Sequence, residues 1–111
     1  KSKILFLGLT FKEDVPDLRN SKSFEIISFL KKKQHTVKLH DPYVKSDDLQ
    51  LVNLKKIKNN SFDAFILAVP HKFYLQRMDF IKNFLKSHGI VFDIKGKVNS
   101  QRDKNLNYWS L

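Results

Sequence analysis

Cationic and aromatic side chains follow several apolar runs of this sequence, at positions where they could bind a phosphorylated ligand. The cations are Lys12, Arg19, Lys72, Lys95 and Lys97, and the aromatic residues near them are Phe11 and Tyr43. Ammonium and guanidinium groups neutralise phosphate, and an aromatic ring can stack on a base. The set is typical of a nucleotide site, with ordinary solvated loop charge as the alternative interpretation.

The apolar runs that precede these side chains have the lengths of buried strands. Residues 4–7, 36–40, 62–69 and 90–94 are short apolar or alternating segments. Strands that alternate with helical spacing predict an α/β fold with a parallel sheet. We therefore expect one domain, residues 1–111, folded as a three-layer α/β/α Rossmann-like sandwich.

The sheet should contain about five strands in the order 3-2-1-4-5, by analogy with doubly wound folds. Residues 49–52 are the candidate for the third strand, at one edge. The tail at 107–111 is a further candidate strand, in which Tyr108 and Trp109 would pack on the core. A helix should begin after a cap at Ser21 or Asn20. Helical spacing appears at Ser23, Ile26, Ile27 and Leu30, and again at Met78, Ile81, Phe84 and Leu85.

All prolines of the chain fall in segments that follow a predicted strand. Pro16, Pro42 and Pro70 therefore mark one edge of the sheet, the carboxyl edge. In open parallel sheets, ligands bind in the crevice beyond that edge. The cationic and aromatic residues named above belong to the same segments, so we expect them to meet there.

Several kinds of site are disfavoured by the residues present. The chain has no cysteine, which excludes disulfides, cysteine-based zinc sites and a thiol nucleophile, and which fits cytoplasmic residence. The first strand-to-helix segment has Gly8 followed by bulky Phe11 and Lys12, not the G-x-G-x-x-G of a dinucleotide site. We expect no metal site, because the histidines lack the spacing of metal ligands, and no Ser-His-Asp arrangement can be inferred from spacing alone.

Polar residues near the carboxyl edge have simpler interpretations. His71 is expected to be a solvated loop residue, with a contact to ligand as the alternative interpretation. Asp41 and Asp93 end strands, where carboxylates commonly cap backbone groups or pair with nearby bases, so both are interpreted as structural.

Charge and hydropathy limit the kinds of partner and the kind of fold that are expected. The formal net charge is +10, which favours anionic partners, and 41% of residues are hydrophobic, which suits a globular fold. No apolar run approaches the roughly 18 residues that a membrane-spanning helix needs.

One long motif resembles a known family. Residues 8–21, GLTFKEDVPDLRNS, are similar to the G-[LF]-[AT]-F-K-x-x-x-x-D-x-R-x-S signature of the UDP-glucose/GDP-mannose dehydrogenase family, at the start of its C-terminal domain. The resemblance continues through residues 37–42, with His40 where the family has tyrosine, and through residues 62–65 and 91–96. The sequence is most similar to the branch that oxidises UDP-N-acetylhexosamines for bacterial capsule, O-antigen or Vi-type polysaccharides.

The resemblance implies a function for the whole enzyme. The family oxidises C6 of a UDP-sugar from alcohol to carboxylate and reduces two NAD⁺. Its N-terminal domain holds NAD, its catalytic residues lie in the earlier domains, and its C-terminal domain binds the UDP half of the substrate. The expected partners are a UDP-sugar, the N-terminal NAD-binding and central helical domains of the same chain, and a second subunit in a homodimer. Neither nucleic acid nor membrane is expected as a partner.

Site roles follow from positions in the motif. Phe11 and Lys12 correspond to family residues that contact the UDP-sugar. Lys95 stands where the family has a basic residue, often arginine, that also contacts substrate. Arg19 corresponds to an arginine that reaches the NAD of the neighbouring domain, whereas Asp17 and Ser21 are expected to hold the loop and cap the helix.

Two other functions stay open on the sequence alone. The first is a stand-alone basic nucleotide- or nucleic-acid-binding module, which the net charge favours, although RRM, KH and helix-turn-helix patterns are missing. The second is a structural or oligomerisation domain, in which Tyr108 and Trp109 would be interface residues.

Overall fold

Five parallel strands form one sheet in the computed structural model, which describes residues 1–19, 21–45, 47–96 and 107–110. The strands are β1 (Lys3–Leu7), β2 (Thr36–His40), β3 (Phe62–Leu67), β4 (Leu85–Asp93) and β5 (Asn107–Ser110). Their order across the sheet is β2-β1-β3-β4-β5, and every neighbouring pair is parallel. This confirms the predicted parallel α/β sheet.

Helices pack on both faces of this sheet. Helix α1 (Ser23–Lys32) connects β1 to β2, and the short helices α2 (Lys72–Leu75) and α3 (Met78–Lys82) connect β3 to β4. Ser21 accepts a hydrogen bond from the Ser23 N–H at 3.2 Å, as the predicted cap, although the residue at the N-cap position is Lys22. Asn20, the other predicted cap, lies outside the described residues.

Alternation along the strands divides the core into two clusters. On β1, Leu5 and Leu7 face the cluster that includes α2 and α3, while Ile4 and Phe6 face the cluster that includes Ile27 of α1. Successive side chains of a strand point to opposite faces, so each strand of a sheet that is covered on both sides has a continuous apolar sequence. The result is the expected three-layer α/β/α arrangement.

The predicted strand at 49–52 is wrong, and with it the order 3-2-1-4-5. A 3₁₀ turn occupies Asp47–Leu49, and Gln50 has φ +51°, which turns the chain away from an extended path. Val52 donates a backbone hydrogen bond to Leu39 of β2 at 2.9 Å, but no strand continues from it in the described region. The fifth strand is instead β5, at the opposite edge of the sheet.

Other element boundaries also differ from the predictions. Strand β3 ends at Leu67 and not at residue 69. Strand β4 begins at Leu85, which the helical spacing had predicted to lie in a helix. In β5, Tyr108 packs on the core as expected, whereas Trp109 is 59% exposed beside Phe92 of β4. Of the two aromatic side chains in β5, only Tyr108 therefore packs on the core.

The parallel strands place four connecting segments at one edge. Residues that follow β1, β2, β3 and β4 all leave the carboxyl edge, as the prolines predicted. In the described ranges, no helix is long and apolar enough to cross a membrane.

Candidate nucleotide-binding edge

Gly8 allows the chain to leave β1 close against β3. Its φ is +102°, and an added Cβ would lie 2.6 Å from Cβ and 2.7 Å from the backbone N of Val69. Its N–H donates to the His40 carbonyl and its own carbonyl accepts from the Ser23 hydroxyl, both at 3.0 Å. Glycine alone tolerates this conformation and this approach. The segment that follows, residues 9–19, is called the 9–19 loop below.

The 9–19 loop is closed on itself. The Phe11 N–H donates to the Asp17 carbonyl at 2.6 Å, and the Asp17 carboxylate accepts from the backbone and guanidinium of Arg19 at 2.9–3.2 Å. Hydrogen bonds from the Arg19 side chain and backbone lower the pKa of Asp17 below its ordinary value. Asp17 thus holds the loop, as the sequence predicted.

Asp41 is the buried anchor of the edge. Its Oδ2 accepts from the N–H groups of Leu9 (2.7 Å) and Thr10 (3.3 Å), and its Oδ1 accepts from the Tyr43 N–H (2.8 Å). Burial would raise the pKa of Asp41, but hydrogen bonds from His71, Leu9 and Tyr43 outweigh it and lower the pKa below the ordinary value. The structural role predicted for Asp41 is confirmed.

The interpretation of His71 as a solvated loop residue is wrong, because its side chain is completely buried. Its Nε2 lies 2.9 Å from Asp41 Oδ2 and 3.2 Å from Thr10 Oγ1, and its Nδ1 accepts from the Asp14 N–H at 2.8 Å. The Tyr43 ring packs against the imidazole at a centroid distance of 4.8 Å. A histidine and an aspartate at the ends of nearby strands were the available signal for this contact.

Phe11 and Lys12 form the exposed tip of the 9–19 loop. Phe11 is 50% exposed, and the ammonium of Lys12 pairs with no carboxylate among the described residues. An open ring next to an open ammonium can take a base and a phosphate. Both side chains are exposed at the carboxyl edge of the sheet, so a ligand could reach them.

Two of the remaining predicted cations are paired with carboxylates of the 9–19 loop. The Lys95 ammonium pairs with Glu13, so the turn after β4 contacts the 9–19 loop, and the Arg19 guanidinium pairs with Asp17. Lys72 is exposed, and its backbone N–H, not its ammonium group, donates to the Asp14 carboxylate. Lys97 lies outside the described residues. Carboxylates of the 9–19 loop therefore offset part of the positive charge that the sequence assigned to this edge.

The residues at this edge do not form a dinucleotide site of their own. The connection from β1 to α1 contains one glycine and bulky side chains, and the first turn of α1 carries Glu25, which disfavours a phosphate at that helix end. The described residues also contain no group of three or more His, Cys, Asp or Glu side chains that could hold a metal ion.

Fold and edge together define a Rossmann-like α/β domain whose candidate ligand site lies beyond the carboxyl ends of its strands. Residues 5–100 match the UDP-glucose/GDP-mannose dehydrogenase family, UDP binding domain. The chain belongs to this family, which confirms the resemblance of residues 8–21.

Similar proteins include a protein named CapL and dehydrogenases of UDP-N-acetylhexosamines. Protein CapL of Staphylococcus aureus is 42% identical over 100 residues, which are 85% of this chain and 23% of CapL. The UDP-N-acetyl-D-glucosamine 6-dehydrogenase of Salmonella typhi is 31% identical over 99 residues, again 85% of this chain and 23% of the relative. The chain thus spans about a quarter of the length of these relatives.

A solved structure has the same fold. Cap5O, the UDP-N-acetyl-mannosamine dehydrogenase of Staphylococcus aureus, superposes with a TM-score of 0.77 at 25% identity, over 99% of this chain and 26% of that chain. Both comparisons therefore relate this domain to one part of a larger dehydrogenase.

Proposed function

We propose that this chain is the UDP-binding part of an NAD-dependent UDP-sugar 6-dehydrogenase that acts in the cytoplasm on a UDP-N-acetylhexosamine for surface polysaccharide synthesis. The observation that carries the proposal is the Phe11–Lys12 tip, held at the carboxyl edge of the sheet within a domain of the matched family. Relatives named as UDP-N-acetylglucosamine and UDP-N-acetylmannosamine dehydrogenases support the substrate class.

The roles of the side chains follow from their charge and accessibility. Lys12 neutralises the pyrophosphate, and the Phe11 ring packs on the nucleoside. Lys95 makes a second phosphate contact when it exchanges Glu13 for the ligand. A lysine there gives a point charge without the paired geometry of arginine.

The chemistry itself belongs to the rest of the enzyme. When bound by the rest of the enzyme, NAD would supply the hydride acceptor for the two oxidations at C6, and Arg19 is the residue of this chain that would contact that cofactor. Binding energy from the UDP half orients the reacting C6 carbon, which lies away from the groups that this chain supplies. The domain alone is therefore expected to bind UDP and to catalyse nothing.

The test is a comparison of ligands and products with the full-length protein that contains this chain. Calorimetry should detect UDP binding, and absorbance at 340 nm should show about two NADH per UDP-N-acetylhexosamine oxidised, as the double oxidation requires. A folded protein that binds NAD⁺ but neither binds UDP nor oxidises any UDP-sugar would refute the proposal.

A nucleic-acid-binding module is the competing function, favoured by the net charge of +10. It requires affinity for polynucleotide that falls steeply with salt. The carboxylates of Glu13, Asp14 and Asp17 on the 9–19 loop argue against a phosphate-backbone surface at this edge. Competition of single-stranded DNA with UDP, at two salt concentrations, separates the two functions.

A further inference from the structure

One imidazole holds both sides of the loop tip that carries Phe11 and Lys12. On one side, His71 Nε2 lies 3.2 Å from Thr10 Oγ1, whose hydroxyl donates to the Lys12 carbonyl at 2.9 Å. On the other side, His71 Nδ1 accepts from the Asp14 N–H at 2.8 Å. Residues 10 and 14, which flank the tip, are therefore fixed by the same side chain.

The hydrogen bonds determine the protonation pattern of this imidazole. A backbone N–H can only donate, so Nδ1 must be unprotonated and the proton lies on Nε2. That proton points to Asp41 Oδ2 at 2.9 Å, with Thr10 Oγ1 as a second acceptor at 3.2 Å. His71 thus directs its Nε2 donor toward the anchor at Asp41 and its Nδ1 acceptor toward the loop tip.

The backbone conformation of Asp14 is unfavourable by itself, so the hydrogen bond from its N–H to His71 helps to hold it. Asp14 has φ +62°, a left-handed conformation that costs a non-glycine residue free energy unless its surroundings fix it. Its N–H is bound by His71 and its carboxylate accepts the Lys72 N–H at 2.8 Å. Because His71 and Lys72 are adjacent, the start of α2 fixes both the backbone N–H and the carboxylate of Asp14.

We propose that His71 is a positioning residue for nucleotide binding, which acts by presenting Phe11 and Lys12 in the geometry that a UDP pyrophosphate requires. The inference rests on the proposed function and adds a determinant that does not touch the ligand. A preformed loop binds more tightly because no ordering cost is incurred on association.

The experiment measures UDP affinity of the full-length protein by calorimetry in His71→Ala, His71→Asn and Thr10→Val. His71→Ala should weaken UDP binding about tenfold, the effect of losing one or two hydrogen bonds that fix a ligand-binding loop. His71→Asn keeps an acceptor near the position of Nδ1 and should recover most of that loss. NAD⁺ affinity should stay unchanged, since the change is confined to the UDP side.

Thr10→Val is the milder variant, for the case in which removal of the buried imidazole prevents folding. It preserves side-chain volume and removes only the hydroxyl that joins His71 to the Lys12 carbonyl. His35→Ala is the matched control, because His35 Nδ1 also accepts a backbone N–H, from Ser2 at 3.0 Å, but at the amino edge of the sheet. The control should bind UDP like the wild type.

A double-mutant cycle with Lys12→Ala distinguishes positioning from general stability. If His71 acts through Lys12, the His71→Asn or Thr10→Val substitution should have a clearly smaller effect on UDP affinity once Lys12 is gone. Equal effects in both backgrounds, or unchanged UDP affinity in folded His71→Ala, would overturn the inference alone. Wild-type protein that does not bind UDP would instead refute the proposed function.

Discussion

The Tyr74 hydroxyl lies 2.8 Å from His40 Nδ1 and donates to the His40 carbonyl at 2.9 Å. Since the single hydroxyl proton is used by the carbonyl, Nδ1 of His40 serves as the donor to the tyrosine oxygen. The pair joins the end of β2 to α2 beneath the candidate site. Burial raises the pKa of Tyr74 well above its ordinary value, which keeps this hydroxyl neutral.

His40 should make stability depend on pH. Burial lowers its pKa from 6.5 to about 4, because the nearby Asp41 carboxylate offsets only part of that effect. The unfolded chain then binds the proton more readily, so the free energy of unfolding is highest above about pH 6.5. It should fall by on the order of 2–3 kcal/mol as the pH drops to about 4.

Urea unfolding of this chain between pH 4 and 8 measures this dependence. His40→Asn should flatten the slope, whereas His88→Asn, at an exposed position of positive φ, should leave it unchanged. Asp41 adds a separate loss at lower pH, since its lowered pKa stabilises the fold only above the pKa of the unfolded chain. An unchanged slope in His40→Asn would show that His40 is not the titrating group.

Gly8→Ala should destabilise the fold by at least about 2 kcal/mol, from an unfavourable φ combined with overpacking. The added methyl group would collide with both the side chain and the backbone of Val69, just beyond the end of β3, and a backbone atom cannot move aside as the far end of a flexible side chain can. Gly89→Ala is the comparison, because its nearest contacts are at 3.0 Å and its φ is not positive. A thermal shift of the Gly8 variant no larger than that of the Gly89 variant would contradict the argument.

Lys12→Ala should raise the Michaelis constant for UDP-sugar in the full-length enzyme by about tenfold or more, the value of one charge-assisted contact. Its ammonium pairs with no carboxylate of the described part, so no carboxylate there competes with the ligand for it. Lys58→Ala removes the same charge from an exposed position before β3, at the amino edge. If both variants lower affinity equally, general charge and not a defined contact would explain binding.

Lys95→Ala should cost less affinity than Lys12→Ala, since Lys95 must first release Glu13. Glu13→Gln should tighten UDP binding a few-fold at low salt, because exposed ion pairs are worth only about 0–1 kcal/mol and are screened by salt. Calorimetric titrations of the three variants at two ionic strengths test the ranking. Weaker UDP binding in Glu13→Gln would mean that the Glu13 carboxylate supports the site.

Much of the fold followed from local patterns. The apolar runs at β1 and β3 and the alternation in β2 specified buried parallel strands, and the prolines specified the carboxyl edge, because strand periodicity and proline geometry are local properties. The strand predicted at 49–52 is wrong because its conformation does not follow from local periodicity. Its apolar residues satisfied the strand pattern, but a positive φ at Gln50 turns the chain, and one-dimensional periodicity does not contain that turn.

The candidate site divides in the same way. The motif around Phe11 and Lys12 could be identified from the sequence alone, since the residues are contiguous and their side-chain types suit a phosphate and a base. The pairing of Lys95 with Glu13 was decided by tertiary structure, which brings positions 82 residues apart into contact.

What the sequence by itself determined about this protein is its family, its α/β class and the edge of the sheet at which the candidate site lies. Only the tertiary structure decided that His71 is buried and that it holds the loop tip. The physical reason is that burial is a property of the whole chain. Residues 10, 14, 41 and 71 come from three separate connections, and they exclude water from the imidazole only when parallel strands bring those connections together.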